Sequence, residues 1–365
     1  GIPKDHIFMA ATHNHTACDM VFSPEENAQK KLKEYMAYVT AQTLDAVKAA
    51  KAAMRPARYG YGEGQSYING NRDMVTEFGT FTQGYEPEGY CDHTVSVMKF
   101  IGEDDRLIAA VVNYGMHATL GYFDVDVDGK TKVSGNIPGV AQDYAENRYG
   151  HGAVVLWTSA AAGDQNPQLY CLRDYEADGF PSMAHTIPGL QYNLITLMVK
   201  RYGVDICITF NGITAYNKNM PMNFAKTYIP LPGQRFPEGT NMQWINDITN
   251  HIYPMKAGEA LPKPIPTPER DVPLYIQEAV FGDVAFVGIA AEIYAMIGKL
   301  CKEASPYTKT MIVTHVDRSI GYIIDKTSVD HYCFEQFGPV QAGVCDELIA
   351  KGGRELFDEM MGYGL

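Results

Sequence analysis

The chain has no CxxC cysteine pair, no GxxxxGK[ST] loop, no HExxH helix and no apolar run long enough to cross a bilayer. Paired-cysteine zinc modules, P-loop nucleotide chemistry, the common helix-borne zinc protease motif and a transmembrane anchor are thereby removed. Positive charge is also scarce: 30 Lys and Arg stand against 43 Asp and Glu, a formal charge of -13. That balance argues against nucleic acid or an anionic membrane as partner, since either needs a basic face. The cysteines (Cys18, Cys91, Cys171, Cys207, Cys301, Cys333 and Cys345) are odd in number and scattered. They outline no disulfide framework and favour free thiols in a reducing, cytoplasmic setting. No signal peptide is visible and no initiator Met precedes Gly1-Ile2-Pro3, so an upstream segment is expected to be missing. If that segment adds a strand to the core, its loss leaves a sheet edge on which copies of the chain would pair as a homo-oligomer.

What is present suits a large globular core. Of 365 residues, 46% are hydrophobic and 20% charged. Strand and helix patterns alternate, which implies an α/β fold with a mixed β-sheet core flanked by helices. The sequence predicts strands at 7–11, 94–101, 106–114, 153–158, 274–280, 283–289 and 311–316. It predicts a helix from the Ser23-Pro24-Glu25-Glu26 cap to Met54, with Leu32, Tyr35, Met36, Val39 and Val47 as its apolar stripe. Further helices are expected near 137–149 with Asn136 as N-cap, 188–202, 291–303 and 340–361. Residues 57–92, rich in Gly, Tyr and Asn, read as a long loop. Residues 214–272 are proline-rich and the least regular; Phe224, Phe236 and Trp244 favour a lid-like insertion over a solvated linker. The whole then reads as a single domain over 1–365.

Polar residues recur just past the ends of apolar runs. They are His13 and His15 after IFMAA, His117 after LIAAVVNYG, Asp164 after AVVLWTSAAAG, Glu292 after VAFVGIAA, and Tyr322 after MIVTHVDRSIG. In open α/β sheets, ligands bind beyond the carboxyl ends of strands, so such residues converge on one site. If the 7–11 strand continues, Ile7, Met9, Ala11, His13 and His15 share a face and both imidazoles reach one cavity. Neutral imidazole is the commonest metal-binding side chain. Taken alone, the His-x-His pair leaves metal binding and a mere polar strand end equally open. His117 singly reads as a partly buried histidine, and Glu292 as an acid favourably placed in a helix's first turn. Their shared topological position carries the argument.

Together the motifs resemble the catalytic domain of the neutral/alkaline non-lysosomal ceramidase family. The resemblance rests on Thr12-His13-Asn14-His15-Thr16, Asn71-Arg72, Tyr114-Gly115-Met116-His117, Ser134-Gly135-Asn136, Gly163-Asp164-Gln165-Asn166-Pro167, Ala290-Ala291-Glu292 and Tyr322, in consistent order along most of the chain. It implies a zinc held by His13, His117, Glu292 and Tyr322 at the carboxyl ends of the strands. His15 and Arg72 would line the pocket and orient the substrate. It further implies a zinc-dependent hydrolase that cuts an N-acyl, ceramide-like amide bond with metal-activated water, in lipid metabolism. The partner would be a small-molecule or lipid N-acyl substrate.

Three departures bear on this. Asn166 stands where the family has a serine, and an amide cannot be an acyl nucleophile, only a hydrogen-bonding group. The sequence ends without the family's C-terminal immunoglobulin-like domain, which makes a more soluble N-acyl substrate as good a candidate as ceramide. Tyr332, Phe334 and Phe337 stand where a second active-site tyrosine would be sought. Two alternatives stay open: a non-catalytic ceramidase-like binding protein, or an esterase, lactonase or phosphatase on the same site.

Overall fold

The structure is a computed structural model and describes residues 1–18, 25–75, 81–121, 126–171, 188–241, 262–331 and 334–362. In chain order its elements are α1 (Glu26–Ala52), β1 (Arg58–Gln65), β2 (Asn69–Val75), β3 (Phe81–Glu86), β4 (Thr94–Ile101), β5 (Leu107–Tyr114), α2 (Asn136–Tyr149), β6 (Val154–Ser159), β7 (Gln165–Pro167), α3 (Leu190–Gly212), β8 (Met222–Arg235), β9 (Ile265–Phe281), β10 (Val284–Ile289), β11 (Glu292–Ile293), α4 (Ala295–Ala304), β12 (Thr310–Thr314), β13 (Tyr322–Ile323) and α5 (Asp346–Met360). The mixed α/β architecture expected from the sequence is what the chain forms.

Two four-stranded sheets dominate, in the orders β1-β4-β5-β6 and β12-β10-β9-β8. Strand alternation divides the first sheet between two cores. Val95 and Val97 of β4, with Val112, Val155 and Trp157, face α2 and α3 and pack on Ile137, Ala141, Val199, Ile206 and Phe210. Met98 and Tyr59 point the other way, into a core shared with the second sheet and closed by Ile297 of α4 and Leu356 and Phe357 of α5. β5 and β6 run parallel, as do β10 and β12. The sheets are tied where these pairs meet: Asn113 Nδ2 donates to Ile312 O at 2.8 Å and Thr314 Oγ1 to Ser159 O at 3.2 Å. The carboxyl ends of β5, β6, β10 and β12 thus open toward one region.

Three stretches of the chain fold differently from expectation. Residues 57–92 are not a loop but contain β1, β2 and β3. Their glycines are helix contacts rather than breakers: a Cβ at Gly62 would fall 2.6 Å from Ile213, and one at Gly64 2.1 Å from Thr209 of α3. The proline-rich 214–272 stretch is in part a long strand pair, with Pro230 opposite Pro273 and Pro232 opposite Asp271. β8 is an edge strand, where the missing N–H of proline costs no ladder bond. Residues 242–261, including Trp244, lie outside the described residues.

The N-terminal strand is the third correction. After a 3-10 turn at Lys4–His6, only an isolated bridge, Ala10 to Val316, pairs residues 7–11. Ile7 and Met9 are exposed, while Phe8 and Ala10 pack on the core, the opposite parity to that expected. At α1 no residue is buried; Met36 and Val47 of its stripe are exposed. Ser23 and Pro24 of its expected cap lie outside the described residues, and Glu25 occupies the N-cap. Asn136 is the first residue of α2 rather than its cap, and its Nδ2 instead donates to Ala118 O and Leu120 O at 3.0 and 2.7 Å. It thereby anchors the loop that follows His117. Among the described residues no helix is long and apolar enough to cross a membrane.

Candidate metal centre

His117 sits three residues beyond β5. Its backbone N–H donates to Gln165 O at 2.9 Å, and its Nδ1 lies 3.0 Å from the same carbonyl. A carbonyl can only accept, so Nδ1 carries the proton and Nε2 presents its lone pair. Nε2 faces Glu292 Oε2 at 3.3 Å and Tyr322 Oη at 3.2 Å. Burial, reinforced by Arg72, pushes the His117 imidazole down to about 4, so it is neutral at neutral pH.

Glu292 is not at a helix start as expected; α4 begins at Ala295. It belongs to β11, which pairs in parallel with β13 so that Glu292 and Tyr322 are register partners. That two-residue ladder delivers a carboxylate and a phenol to the same cavity. His13 Nε2 lies 3.1 Å from Glu292 Oε2 and 3.0 Å from His15 Nε2. His13 has φ 54°, and this left-handed turn, not strand alternation, brings both imidazoles inward. His15 is held by its N–H donating to Ala118 O at 3.0 Å. Burial holds the His15 imidazole well below its usual range, and His13 and His117 add to the effect.

These contacts make the cluster an acceptor-rich cavity. A lone pair of neutral His117 faces an ionised carboxylate, which is repulsive unless a cation lies between them. The separations fit one: ligand atoms on a tetrahedral zinc with ordinary bond lengths sit about 3.3 Å apart. The edges from His13 to Glu292, Glu292 to His117 and His117 to Tyr322 are 3.1, 3.3 and 3.2 Å. Two overlapping triads, His13/His15/His117 and His13/Glu292/His315, have ligand atoms spaced for one ion. The residues therefore fit a divalent metal bound by nitrogen and oxygen.

Arg72 and Asn166 lie behind Tyr322. Pairing of β2 with β7 sets Gly70 opposite Asn166, and Arg72 Nη1 donates to Asn166 Oδ1 at 3.2 Å. Arg72 Nη2 meets Glu335 at 2.6 Å, and its guanidinium lies 5.5 Å from the Tyr322 ring centroid. Both ion-pair partners are almost wholly buried, and Glu335 more than offsets what burial would take from the Arg72 charge. Arg72 is thus committed to the wall, which favours holding Tyr322 over meeting a substrate carbonyl. Asn166 is fully buried and its Nδ2 lacks a hydrogen-bond partner among the described residues.

Of the residues at the five strand exits, Asp164 points elsewhere. It accepts from Ala295 N at 2.8 Å and Asn71 Nδ2 at 3.0 Å, and burial together with Asp73 pushes its carboxyl up to about 7. Two neighbours of the centre were not singled out from sequence. His315 follows β12 by one residue, so the same strand-exit rule would have found it. Glu335 lies in the segment where a second tyrosine was sought. There Tyr332 and the Phe334 side chain are outside the described residues, and Phe337 packs on Phe236 at 4.8 Å.

No family model and no curated protein matches this sequence. Among solved structures, the chain superimposes on neutral ceramidase from Pseudomonas aeruginosa with a TM-score of 0.57, and on a ceramidase complexed with C2 with a TM-score of 0.61. Each alignment covers 87% of this chain and 55% of the other, at 14% identity. The fold is the ceramidase fold. The chain spans about half the length of the ceramidases it matches. At this identity the likeness to the ceramidases concerns architecture, and the chemistry rests on the cluster itself.

Proposed function

We propose that the chain is a metal-dependent amidohydrolase acting on an N-acyl bond, with zinc held by His13, His117, Glu292 and Tyr322. The observation that supports it most is the chain of 3.1–3.3 Å separations linking these four groups, spacings that donor atoms sharing one metal ion have. Zinc bound there would supply Lewis acidity toward a substrate carbonyl and toward a water molecule. The protein's own groups supply the rest. His117 is fixed in its metal-binding tautomer by Gln165 O, and the β11–β13 ladder holds Glu292 and Tyr322 in register. His15, neutral and beside His13, is placed to accept a proton from the attacking water and return it to the leaving nitrogen. The C–N bond breaks as the water oxygen joins the acyl carbon, so no serine hydroxyl is required. Arg72, clamped by Glu335 and Asn166, keeps positive charge beside Tyr322. The ceramidase fold makes a lipid or small N-acyl amide the substrate class to try first.

The test is metal analysis of the purified protein and of Glu292→Gln, followed by a panel of N-acyl amides with and without chelator. Stoichiometric zinc, lost in the variant, and chelator-sensitive amide cleavage are expected. Failure of the unmutated protein to retain zinc after reconstitution overturns the reading. Zinc without turnover would favour a binding protein, the alternative that Asn166 in the serine's place supports.

A further inference from the structure

His315 is not among the four groups just proposed as ligands, yet it is built into their cavity. Its ring lies on that of His13 with centroids 4.0 Å apart and planes inclined by 20°. The other imidazole pairs in the cluster are steeply tilted: His13 and His15 by 79°, His13 and His117 by 63°. Two imidazoles on one metal point their nitrogens at a common centre and splay apart. Flat stacking is instead the arrangement of one ring supporting another.

The backbone reinforces this. His13 and His315 both occupy the left-handed region, at φ 54° and 56°. Such conformations are uncommon outside glycine and persist where surrounding structure enforces them, often at functional sites. The surrounding structure is visible here. Ala11 N donates to His315 O at 3.3 Å, Asp317 N donates to Met9 O at 2.9 Å, and Ala10 bridges Val316. These bonds stitch 9–11 to 315–317 just where the chain leaves β12. The two strained histidines are therefore brought face to face by a short antiparallel seam.

Resting on the metal-centre reading above, we propose that His315 is a positioning residue: its ring fixes the orientation of the His13 imidazole so that Nε2 addresses the metal. A His13 ring free to rotate would spend time with Nε2 turned from Glu292, and metal affinity would fall. Outer-shell groups that fix a metal-binding histidine by hydrogen bonding contribute about 10- to 100-fold in affinity, and a stacked ring that fixes the same orientation is expected to act on the same quantity. A flat ring suffices for this role; a nitrogen is not needed. That separates positioning from the competing possibility, His315 as a direct ligand in the triad with His13 and Glu292.

The experiment measures zinc affinity by competition with a chromophoric chelator, and the visible spectrum of the cobalt(II) form, for the unmutated protein, His315→Ala and His315→Phe. The alanine variant is expected to bind about 10- to 100-fold more weakly with altered cobalt bands. The phenylalanine variant should restore affinity to within about threefold, with a spectrum like the unmutated protein's. Unchanged affinity and spectrum in His315→Ala overturn the proposal. So does a phenylalanine variant as weak as alanine, which would make His315 a ligand. If His315→Ala does not fold, His315→Leu, bulky but not planar, replaces it in the same comparison. An unmutated protein that binds neither zinc nor cobalt overturns the metal-centre reading and this inference together; binding that ignores His315 overturns the inference alone.

Discussion

Glu278 lies near the carboxyl end of β9, between Val287 of β10 and Ala225 of β8. Its side chain is fully buried, and neither carboxylate oxygen has a hydrogen-bond partner among the described residues. It faces α5, where the absence of a side chain at Gly353 leaves room for Oε1. Burial, with repulsion from Asp358 added, pushes the carboxyl up to about 9 from its ordinary 4.5. The folded protein therefore keeps this proton at neutral pH, while the unfolded chain releases it above about pH 4.5. Stability from this group is full below that value and is lost as pH rises toward 9, at about 1.4 kcal/mol per pH unit. Near pH 7 the cost is about 3 kcal/mol. Glu278→Gln, which keeps the shape and removes the titration, should match the parent near pH 4.5 and exceed it increasingly as pH rises. Urea denaturation of both proteins at several values between pH 5 and 8.5 measures the gap. A gap that does not grow with pH would refute the reasoning, because Glu278 would then ionise in the folded state at little cost.

Two further outcomes are expected. Arg72→Met leaves Glu335 buried without its cation and should destabilise by about 3–5 kcal/mol, whereas Arg72→Met with Glu335→Leu should recover most of that. Equal losses in the single and double variants, measured by denaturation, would contradict the buried ion pair. Asn166→Ser tests the need for a hydroxyl: with water as the attacking group, amide turnover should change by less than about tenfold, and a gain of about 100-fold or more would indicate a serine pathway.

Much of the scaffold was legible because apolar alternation and tight turns coincide. The β4–β5 hairpin around Gly102 emerges close to its expected limits, and the β9–β10 turn falls at Gly282 as expected, although β9 begins at Ile265, well before the expected 274. His117 and Glu292 were legible because each follows a buried strand, and the two parallel pairs bring those ends together. β1 was missed because its glycines serve the approach of α3, a contact that no local pattern records. β8 was missed because proline disfavours strands in general yet fits an edge. The N-terminal segment failed differently. Period-two reasoning assumed an unbroken strand, whereas the left-handed turn at His13 resets the facing of every residue after it. Glu335, 263 residues from Arg72, shows no local signature at all.

The β11–β13 ladder also has a consequence for biosynthesis. It is only two residues long and parallel, and it joins segments separated by α4 and β12. Neither Glu292 nor Tyr322 can take its place until both have left the ribosome, and the seam from residues 9–11 to 315–317 must wait as well. Contacts so distant in sequence form late in folding. On the zinc reading proposed above, a nascent chain halted before β13 would carry His13, His117 and Glu292 but not Tyr322, so the full set of ligands would be complete only after β13 has been made.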